Sequence, residues 1–218
     1  MIGVIIAMQS EADILLEEMQ INRTLTVSGK TVHVGKAYGK DVALCVCGVG
    51  KVNAALGTQL LVSKFDVEKL LNFGVSGGLN QQTKLCQVYQ IEAATQFDFD
   101  LAQLNGTSIG TLNEYTEPYL ALNLLNLPYE KRKLATADRF NDSIEDYQLL
   151  TNELKADIRD MEGGAIVQAA YATSLPIYSI KAISDVAGSG STTEQFLINK
   201  DKALANLKAE LPNIFEQL

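Results

Sequence analysis

The chain has 218 residues, and its composition excludes several classes of protein. With 47% hydrophobic residues it has enough apolar material for the sizeable core of a globular domain. The formal net charge is −8, which argues against a nucleic-acid partner because phosphate backbones are bound by cationic patches. The longest apolar runs fall well short of the roughly 20 residues that cross a membrane. The first residues carry no basic segment ahead of an apolar run, so we expect no signal peptide and a cytoplasmic location.

The predicted elements alternate between strand and helix along the chain. Strands are predicted from short apolar or β-branched runs, and helices from caps and amphipathic or small-residue patterns. No repeat or Pro-rich linker interrupts this order, so a single domain over residues 1–218 is the simplest organisation. In chain order we predict a strand at 1–8, a helix at 10–20, strands at 31–38 and 41–47, a helix at 53–64, strands at 69–73, 88–93 and 133–136, a helix at 161–173, a strand at 176–184 and a helix at 194–211.

This alternation predicts an α/β fold with three layers, α/β/α, around a central mixed and mostly parallel sheet. A turn at Gly39-Lys40 implies one antiparallel pair. Ligands of such sheets bind beyond the carboxyl ends of the strands. The functional candidates by position alone are therefore Glu11, the glycine-rich segment 74–78, Met161-Glu162 and Ser184-Asp185.

Cysteine and histidine limit the chemistry of any metal or nucleophilic site. Cys45 and Cys47 occupy alternate positions on a predicted strand, so their side chains point the same way, which is poor geometry for a disulfide. We expect these two residues and Cys86 to be reduced core residues. The single histidine, His33, has no Cys-x-x-Cys pair to accompany it. We therefore predict no metal site and neither Ser-His-Asp nor Cys-His catalysis.

The segment GVGKVN, residues 48–53, invites comparison with phosphate-binding loops. Asn53 stands where the third glycine of a dinucleotide fingerprint belongs, which makes that signature weak. A Walker A loop would need glycine at Cys45 and Ser or Thr at Val52, so that interpretation fails. A strand-to-helix turn with close helix packing is the simplest interpretation.

Three acidic residues, Glu11, Glu162 and Asp185, each adjoin an apolar or small-residue segment. Taken singly, each also fits a helix N-terminal charge or a turn residue. Together they suit glycosidic bond cleavage, in which one carboxyl group protonates the leaving group and another activates water or stabilises an oxocarbenium ion.

Five segments resemble, in order and spacing, the nucleoside phosphorylase superfamily and, within it, the methylthioadenosine/S-adenosylhomocysteine nucleosidases. They are IGVIIAMQSEADIL, CGVGKVNAALGTQLLV, NFGVSGGL, ATADRFND and DMEGGAIVQAAYATSLPIYSIKAISDVA. The match runs from Ile2 to about Phe196. The resemblance implies a nucleoside phosphorylase-like fold, no cofactor, a small nucleoside substrate, and a homodimer in which a partner residue completes the pocket for the 5′ substituent.

The resemblance also implies roles for individual residues. Glu11 falls on the carboxylate that activates water, Glu162 on the acceptor of the ribose 2′ and 3′ hydroxyls, and Asp185 on the acid at purine N7. The implied substrate-binding positions are Met8, Val49 and Leu101 near the ribose and 5′ substituent, Phe140 against the purine with Asn141 where a backbone pair reads the adenine edge, Met161 against the sugar, Val75, Ser76 and Gly77 in the glycine turn, Ser184 beside the N7 acid, and Phe196 near the 5′ pocket.

The resemblance favours hydrolysis over phosphorolysis. Related phosphorylases hold phosphate with arginines near the first strand-helix turn and ahead of the glycine turn, where this chain has none. Asp rather than Asn at position 185 favours adenine-type bases. The implied reaction is hydrolysis of 5′-modified adenosines, methylthioadenosine and S-adenosylhomocysteine, with release of adenine. A purine nucleoside phosphorylase, a related nucleosidase such as futalosine hydrolase, and a binding module without catalysis remain alternatives.

Departures from the family pattern leave the 5′ group open. Val75 stands where a small polar residue is usual, with Ser76 one place later. The stretch FDFDLAQLNGTSIG keeps Asp98 and Asp100 but lacks the usual Thr and aromatic residue. Thr193 stands where a Phe often closes the 5′ pocket, a role for which Phe196 is the candidate replacement.

Overall fold

The structure is a computed structural model that describes residues 1–79 and 82–218. Its strands are β1 (Ile2–Ile6), β2 (Gln20–Val27), β3 (Lys30–Ala37), β4 (Lys40–Val46), β5 (Lys69–Gly78), β6 (Val88–Gln96), β7 (Leu120–Ala121), β8 (Lys131–Thr136), β9 (Ile158–Asp160) and β10 (Ile177–Val186). Its helices are α1 (Gln9–Leu16), α2 (Lys51–Lys64), α3 (Ala102–Asn105), α4 (Ile144–Gln148), α5 (Gly163–Thr173) and α6 (Thr192–Gln217), and the π-helical turn Leu149–Glu153 follows α4.

The strands of the described part form one ten-stranded mixed sheet in the order β10-β6-β8-β9-β5-β1-β4-β3-β2, with β7 paired to β6. Parallel pairs join β1 to β4 and β5, β5 to β10, and β8 to β6 and β9. Antiparallel pairs join β3 to β2 and β4, β5 to β9, and β6 to β7 and β10. Five pairs of the described strands are thus parallel and five antiparallel, so the sheet is mixed, without the predicted majority of parallel pairs, because hairpins and the short strands β7 and β9 add antiparallel pairs. Because β5 pairs with β10 as well as β9, the strands β5, β10, β6, β8 and β9 form a closed ring of pairings.

Helices cover both faces of the sheet because side chains alternate along its central strands. In β1, Val4 and Ile6 pack into the core that includes α1 and α6, whereas Ile5 faces the core that includes α2 and α5. The predicted α/β fold with a central mixed sheet is confirmed. Among the helices of the described residues, none is long and apolar enough to cross a membrane.

The structure corrects the first predicted helix. Instead of continuing to residue 20, α1 ends at Leu16, and Gln20 begins β2. This strand pairs antiparallel with β3 at the edge of the sheet and is mostly exposed. An exposed edge strand carries little apolar alternation, so the sequence pattern did not distinguish it from the end of a helix.

The structure also corrects the glycine-rich segment that follows Phe73. The predicted turn is part of β5, which continues to Gly78. Gly77 pairs with Arg159 of β9, and a Cβ at Gly77 would lie 2.8 Å from Asp185 Oδ1. Glycine is therefore needed here because neighbouring side chains approach the backbone closely, and not because the chain reverses direction.

The three cysteines are buried and free, as predicted. Cys45 and Cys47 belong to the same hydrophobic core, which agrees with their alternate positions on one strand and its continuation.

Candidate active site

A cavity of about 360 Å³ opens where β1, β5 and β10 reach their carboxyl ends. Its volume lies within the range of small-molecule sites. The end of β1 supplies Met8, β5 supplies the segment 75–77, and β10 supplies Ser184 and Asp185. The loop between β9 and α5 adds Met161 and Glu162. The cavity therefore lies at the edge of the sheet that the order of elements predicts.

All but two of the predicted site residues line this cavity. Leu101 instead lies immediately before α3, in a separate surface hollow with Asp100 and Leu104. Asn141 follows the lining residue Phe140 without lining the cavity itself, and its side-chain amide nitrogen donates a hydrogen bond to Asp146 Oδ2 at 2.9 Å. The prediction that these two residues line the cavity is not met within the chain. The residues that do line it are Met8, Glu11, Val49, Val75, Ser76, Gly77, Phe140, Met161, Glu162, Ser184, Asp185 and Phe196.

Glu11 lies in the first turn of α1, where two backbone amides hold its carboxylate. Oε1 accepts a hydrogen bond from the Val75 N–H at 2.9 Å, and Oε2 accepts one from the Met8 N–H at 3.1 Å. Burial raises the pKa of Glu11, while the charge of Lys181 and the two amides oppose that rise. Gly74 makes room for the carboxylate, because a Cβ at that position would collide with Oε1.

A buried ion pair joins β10 to β9 close to the carboxylates. Lys181 Nζ lies 3.0 Å from Asp160 Oδ2, and both side chains are only 3% exposed. Asp160 Oδ1 also accepts hydrogen bonds from Thr136 Oγ1 at 2.6 Å and from the Gly163 N–H at 3.1 Å, which fixes the start of α5. Although burial opposes it, the charge of Asp160 and the nearby glutamates raises the pKa of Lys181. A lysine within the apolar run PIYSIKAIS was the sequence signal for this pair.

Glu162 lies immediately before α5 and contacts the start of α2. Its Oε1 accepts a hydrogen bond from the Gly50 N–H at 2.8 Å. Gly50 has a φ of 98°, a conformation that glycine adopts readily. Burial and the neighbouring charge of Asp160 raise the pKa of Glu162 to about 7. The glycine-rich segment after β4 thus positions a carboxylate through a backbone amide.

Asp185 lies near the end of β10 and has two unlike oxygens. Oδ2 accepts a hydrogen bond from Ser184 Oγ at 2.8 Å. Oδ1 is buried and has no hydrogen-bond partner in the described part of the chain. Burial raises the pKa of Asp185, and the Ser184 hydrogen bond and the charge of Arg159 oppose the rise. Because an unpaired buried oxygen is costly, Oδ1 is suited to a proton or to a polar ligand atom.

Aromatic side chains lie together along one wall of the cavity. Phe140 is 50% exposed, and its ring meets Phe196 edge to face, with centroids 5.9 Å apart and planes at 71°. This arrangement gives a planar ligand an apolar surface that is open on one side.

The cavity also contains side chains that sequence reasoning did not assign to binding. Arg159 is the most consequential, because it introduces a cation beside Asp185. It belongs to β9, which is only three residues long, too short for an alternation pattern to reveal which way its side chains point. The unassigned lining residues are Ala7, Arg159, Asp160, Thr193 and Leu197.

The fold and this carboxylate-lined cavity agree with the class that comparison assigns: the chain belongs to the phosphorylase superfamily, whose family model matches residues 1–216. Among its relatives are enzymes named 5′-methylthioadenosine/S-adenosylhomocysteine nucleosidase. The one from Buchnera aphidicola is 31% identical over 197 residues, which cover 84% of this chain and 77% of the relative. The one from Staphylococcus epidermidis is 30% identical over 233 residues and covers 100% of both chains.

Solved structures agree with this assignment. The nucleosidase of the same name from Colwellia psychrerythraea, in complex with adenine, has a TM-score of 0.91 and 28% identity, covering 100% of this chain and 95% of the other. Futalosine hydrolase of Helicobacter pylori also has a TM-score of 0.91, covering 100% and 97%, but at 23% identity that likeness shows the fold alone. The resemblance stated from the sequence segments is confirmed.

Proposed function

We propose that the protein hydrolyses the N-glycosidic bond of 5′-modified adenosines, methylthioadenosine and S-adenosylhomocysteine, and releases adenine. The observation that carries the proposal is a nucleoside-sized cavity with differently held carboxylates, Glu11 and Asp185, along one strand. Gly74 of β5 lies against the Glu11 carboxylate, and Gly77 of the same strand lies against the Asp185 carboxylate. These two glycines are three positions apart, which corresponds to about 10 Å along the strand. The names and the adenine complex of the relatives support the same substrate class.

Asp185 is the proposed acid for the leaving base. Cleavage breaks the C1′–N9 bond, and the electron pair moves onto the purine, where a proton at N7 neutralises the charge. Burial favours the protonated form of Asp185, and its unpaired Oδ1 is the atom available to donate that proton. Phe140 supplies a surface on which the purine stacks.

Glu11 is the proposed base for the attacking water. As the oxygen–C1′ bond forms, the water loses a proton to the carboxylate. The hydrogen bonds from Met8 and Val75 fix both carboxylate oxygens, and the charge of Lys181 favours the ionised form. Glu162 is proposed to accept hydrogen bonds from the ribose 2′ and 3′ hydroxyls, with Met161 against the sugar.

The distribution of cations supports water over phosphate as the acceptor. A phosphate nucleophile would approach C1′ from the side opposite the base, near Glu11. Among the described residues there, Lys181 is buried and ion-paired to Asp160, and it does not line the cavity. Arg159 lies at the other end, beside Asp185, which is the side of the leaving base.

We extend the proposal to a cytoplasmic homodimer. The predicted 5′-pocket residue Leu101 does not line the cavity of its own chain, which leaves a place for a second copy to contribute. Next to the cavity, Val49, Val52 and Leu56 are exposed at 48%, 71% and 57%, an apolar surface of the kind that subunit contacts cover. Sedimentation in solution tests the dimer directly. A monomer that is fully active would contradict it.

The activity is tested by incubating the protein with methylthioadenosine, S-adenosylhomocysteine, adenosine and inosine in phosphate-free buffer and measuring the released base. We expect adenine from the first two nucleosides without added phosphate. Release that requires phosphate would instead establish a phosphorylase. Tight nucleoside binding without release from any member of the panel would establish a binding module.

A further inference from the structure

Arg159 is a cation at the leaving-base end of the cavity with no part in the mechanism described so far. It occupies the middle of β9, paired with Gly77 of β5 and Ala135 of β8. A Cβ at Gly77 would lie 3.3 Å from Arg159 Cγ and Nε and 2.8 Å from Asp185 Oδ1. The guanidinium and the proposed acid therefore approach the same small space, which exists because residue 77 has no side chain.

The charge of Arg159 is only partly balanced by the protein. Its side chain is 12% exposed, and Nη2 is buried with no hydrogen-bond partner among the residues that the structure describes. Its ion-pair partner, Asp142 Oδ1, is 4.0 Å away, beyond hydrogen-bonding distance. Asp142 is itself engaged with the start of α6, where it accepts hydrogen bonds from the N–H and the Oγ1 of Thr192.

Within residues 1–79 and 82–218, three buried polar atoms without a hydrogen-bond partner belong to residues that line this one cavity. They are Arg159 Nη2, Asp185 Oδ1 and Ser76 Oγ. Buried polar atoms in folded proteins are generally paired, so this concentration marks a place built for polar or charged groups of a ligand. Of these three side chains, the Arg159 guanidinium is the one that is permanently positive, and it donates hydrogen bonds but cannot accept them.

We propose that Arg159 is a leaving-group residue whose guanidinium stabilises the negative charge that develops on the purine as the C1′–N9 bond breaks. The inference rests on the proposed nucleosidase activity. The electron pair of the broken bond spreads over the purine, and Asp185 becomes a carboxylate when it gives its proton to N7. The single negative charge is thus on the purine before this proton transfer and on the Asp185 carboxylate after it. In both places it lies beside Arg159, and because both side chains are largely buried, a fixed cation that needs no rearrangement acts strongly on it.

This role predicts an effect on the reaction step and not on substrate binding. The base of the bound nucleoside is neutral, so the guanidinium gains its advantage only as charge develops. The lowering effect of Arg159 on the pKa of Asp185 has the same origin, since the cation stabilises the deprotonated carboxylate.

The test compares methylthioadenosine with its N7-methylated derivative, whose base leaves as a neutral molecule and needs no proton. Arg159→Met keeps an apolar stem and removes the charge, Arg159→Gln is a second neutral variant should the first not fold, and Arg159→Lys keeps the charge. Arg23→Met on the exposed strand β2 is the matched control.

For the neutral variants we expect kcat on methylthioadenosine to fall at least about tenfold with little change in KM, the scale of losing one preorganised electrostatic group. The loss on the N7-methylated nucleoside should stay below about twofold, and Arg159→Lys should recover most of the activity. Equal losses on both nucleosides, a raised KM with unchanged kcat, or no effect would overturn the inference. The proposed function fails in a different way, when the wild-type protein releases no base or requires phosphate.

Discussion

The two ends of the cavity hold the same chemical group in different ways. At one end, both oxygens of Glu11 accept hydrogen bonds from backbone amides, with Lys181 nearby. At the other, considering the described residues, Asp185 accepts one hydrogen bond from Ser184 and has one buried oxygen without a partner. Burial raises the pKa of both residues, but Glu11 has more donors that favour its ionised form. The environment, more than the residue type, therefore separates the proposed base from the proposed acid.

Substitution of Glu11 is expected to give the largest effect. Glu11→Gln removes the proposed base. It also places the amide NH₂, a hydrogen-bond donor, against one of the backbone N–H groups that now donate to the carboxylate, so we expect kcat to fall about 10³-fold. Steady-state adenine release measures the change, and thermal unfolding checks that the variant folds. Activity within about threefold of wild type would remove Glu11 from the mechanism.

Asp185→Asn tests the opposite end and is expected to lower kcat roughly 10²-fold or more, because asparagine cannot donate an acidic proton to N7. The amide oxygen still accepts the hydrogen bond from Ser184, so the fold should be retained. The measurement is single-turnover cleavage at saturating methylthioadenosine. Unchanged turnover would show that the leaving base needs no acid from this residue.

Two glycines in β5 test each end without replacing either carboxylate. Gly74→Ala places a methyl group against Glu11 Oε1, and Gly77→Ala places one 2.8 Å from Asp185 Oδ1. We expect each to lower kcat about tenfold, since misplacing a catalytic group by about 1 Å is costly.

Gly29→Ala in the turn before β3 is the control for these substitutions. A Cβ there meets nothing within 4 Å, although a φ of 73° costs stability. It should lower the unfolding temperature without changing kcat. If Gly74→Ala and Gly77→Ala also lowered the unfolding temperature without changing kcat, the close contacts at these glycines would have no catalytic consequence.

The pH dependence of kcat/KM is expected to change activity by about as much as the glycine substitutions do. The pKa of Glu162 is raised to about 7 because the group is buried beside Asp160. As the pH falls through that value the carboxylate is protonated and its capacity to accept from the ribose hydroxyls is reduced. We expect kcat/KM to fall about tenfold from about pH 8 to about pH 6. Glu162→Gln should lower activity and abolish this fall of kcat/KM at lower pH. If the fall persisted unchanged in that variant, the titration would belong to another group.

Much of the candidate site was predictable because the carboxyl ends of neighbouring strands meet at one edge of a sheet. Glu11 and Asp185 adjoin predicted strands and Glu162 lies in the first turn of a predicted helix, and all three line one cavity. Arg159 was not predictable in the same way. Its strand is too short to show a pattern, and its importance depends on Gly77 of a strand distant in sequence.

Residue type alone determined the chemistry that this protein offers. A chain with one histidine and no arginine near its first strand-helix turn favours carboxylates as the proposed acid and base, and its buried runs specify an α/β sheet. Only the tertiary structure decided how each carboxylate is held and which cation lies beside it. Hydrogen-bond partners, burial and the space left by a glycine depend on distances between segments far apart in the chain, and those distances set protonation and charge stabilisation in the cavity.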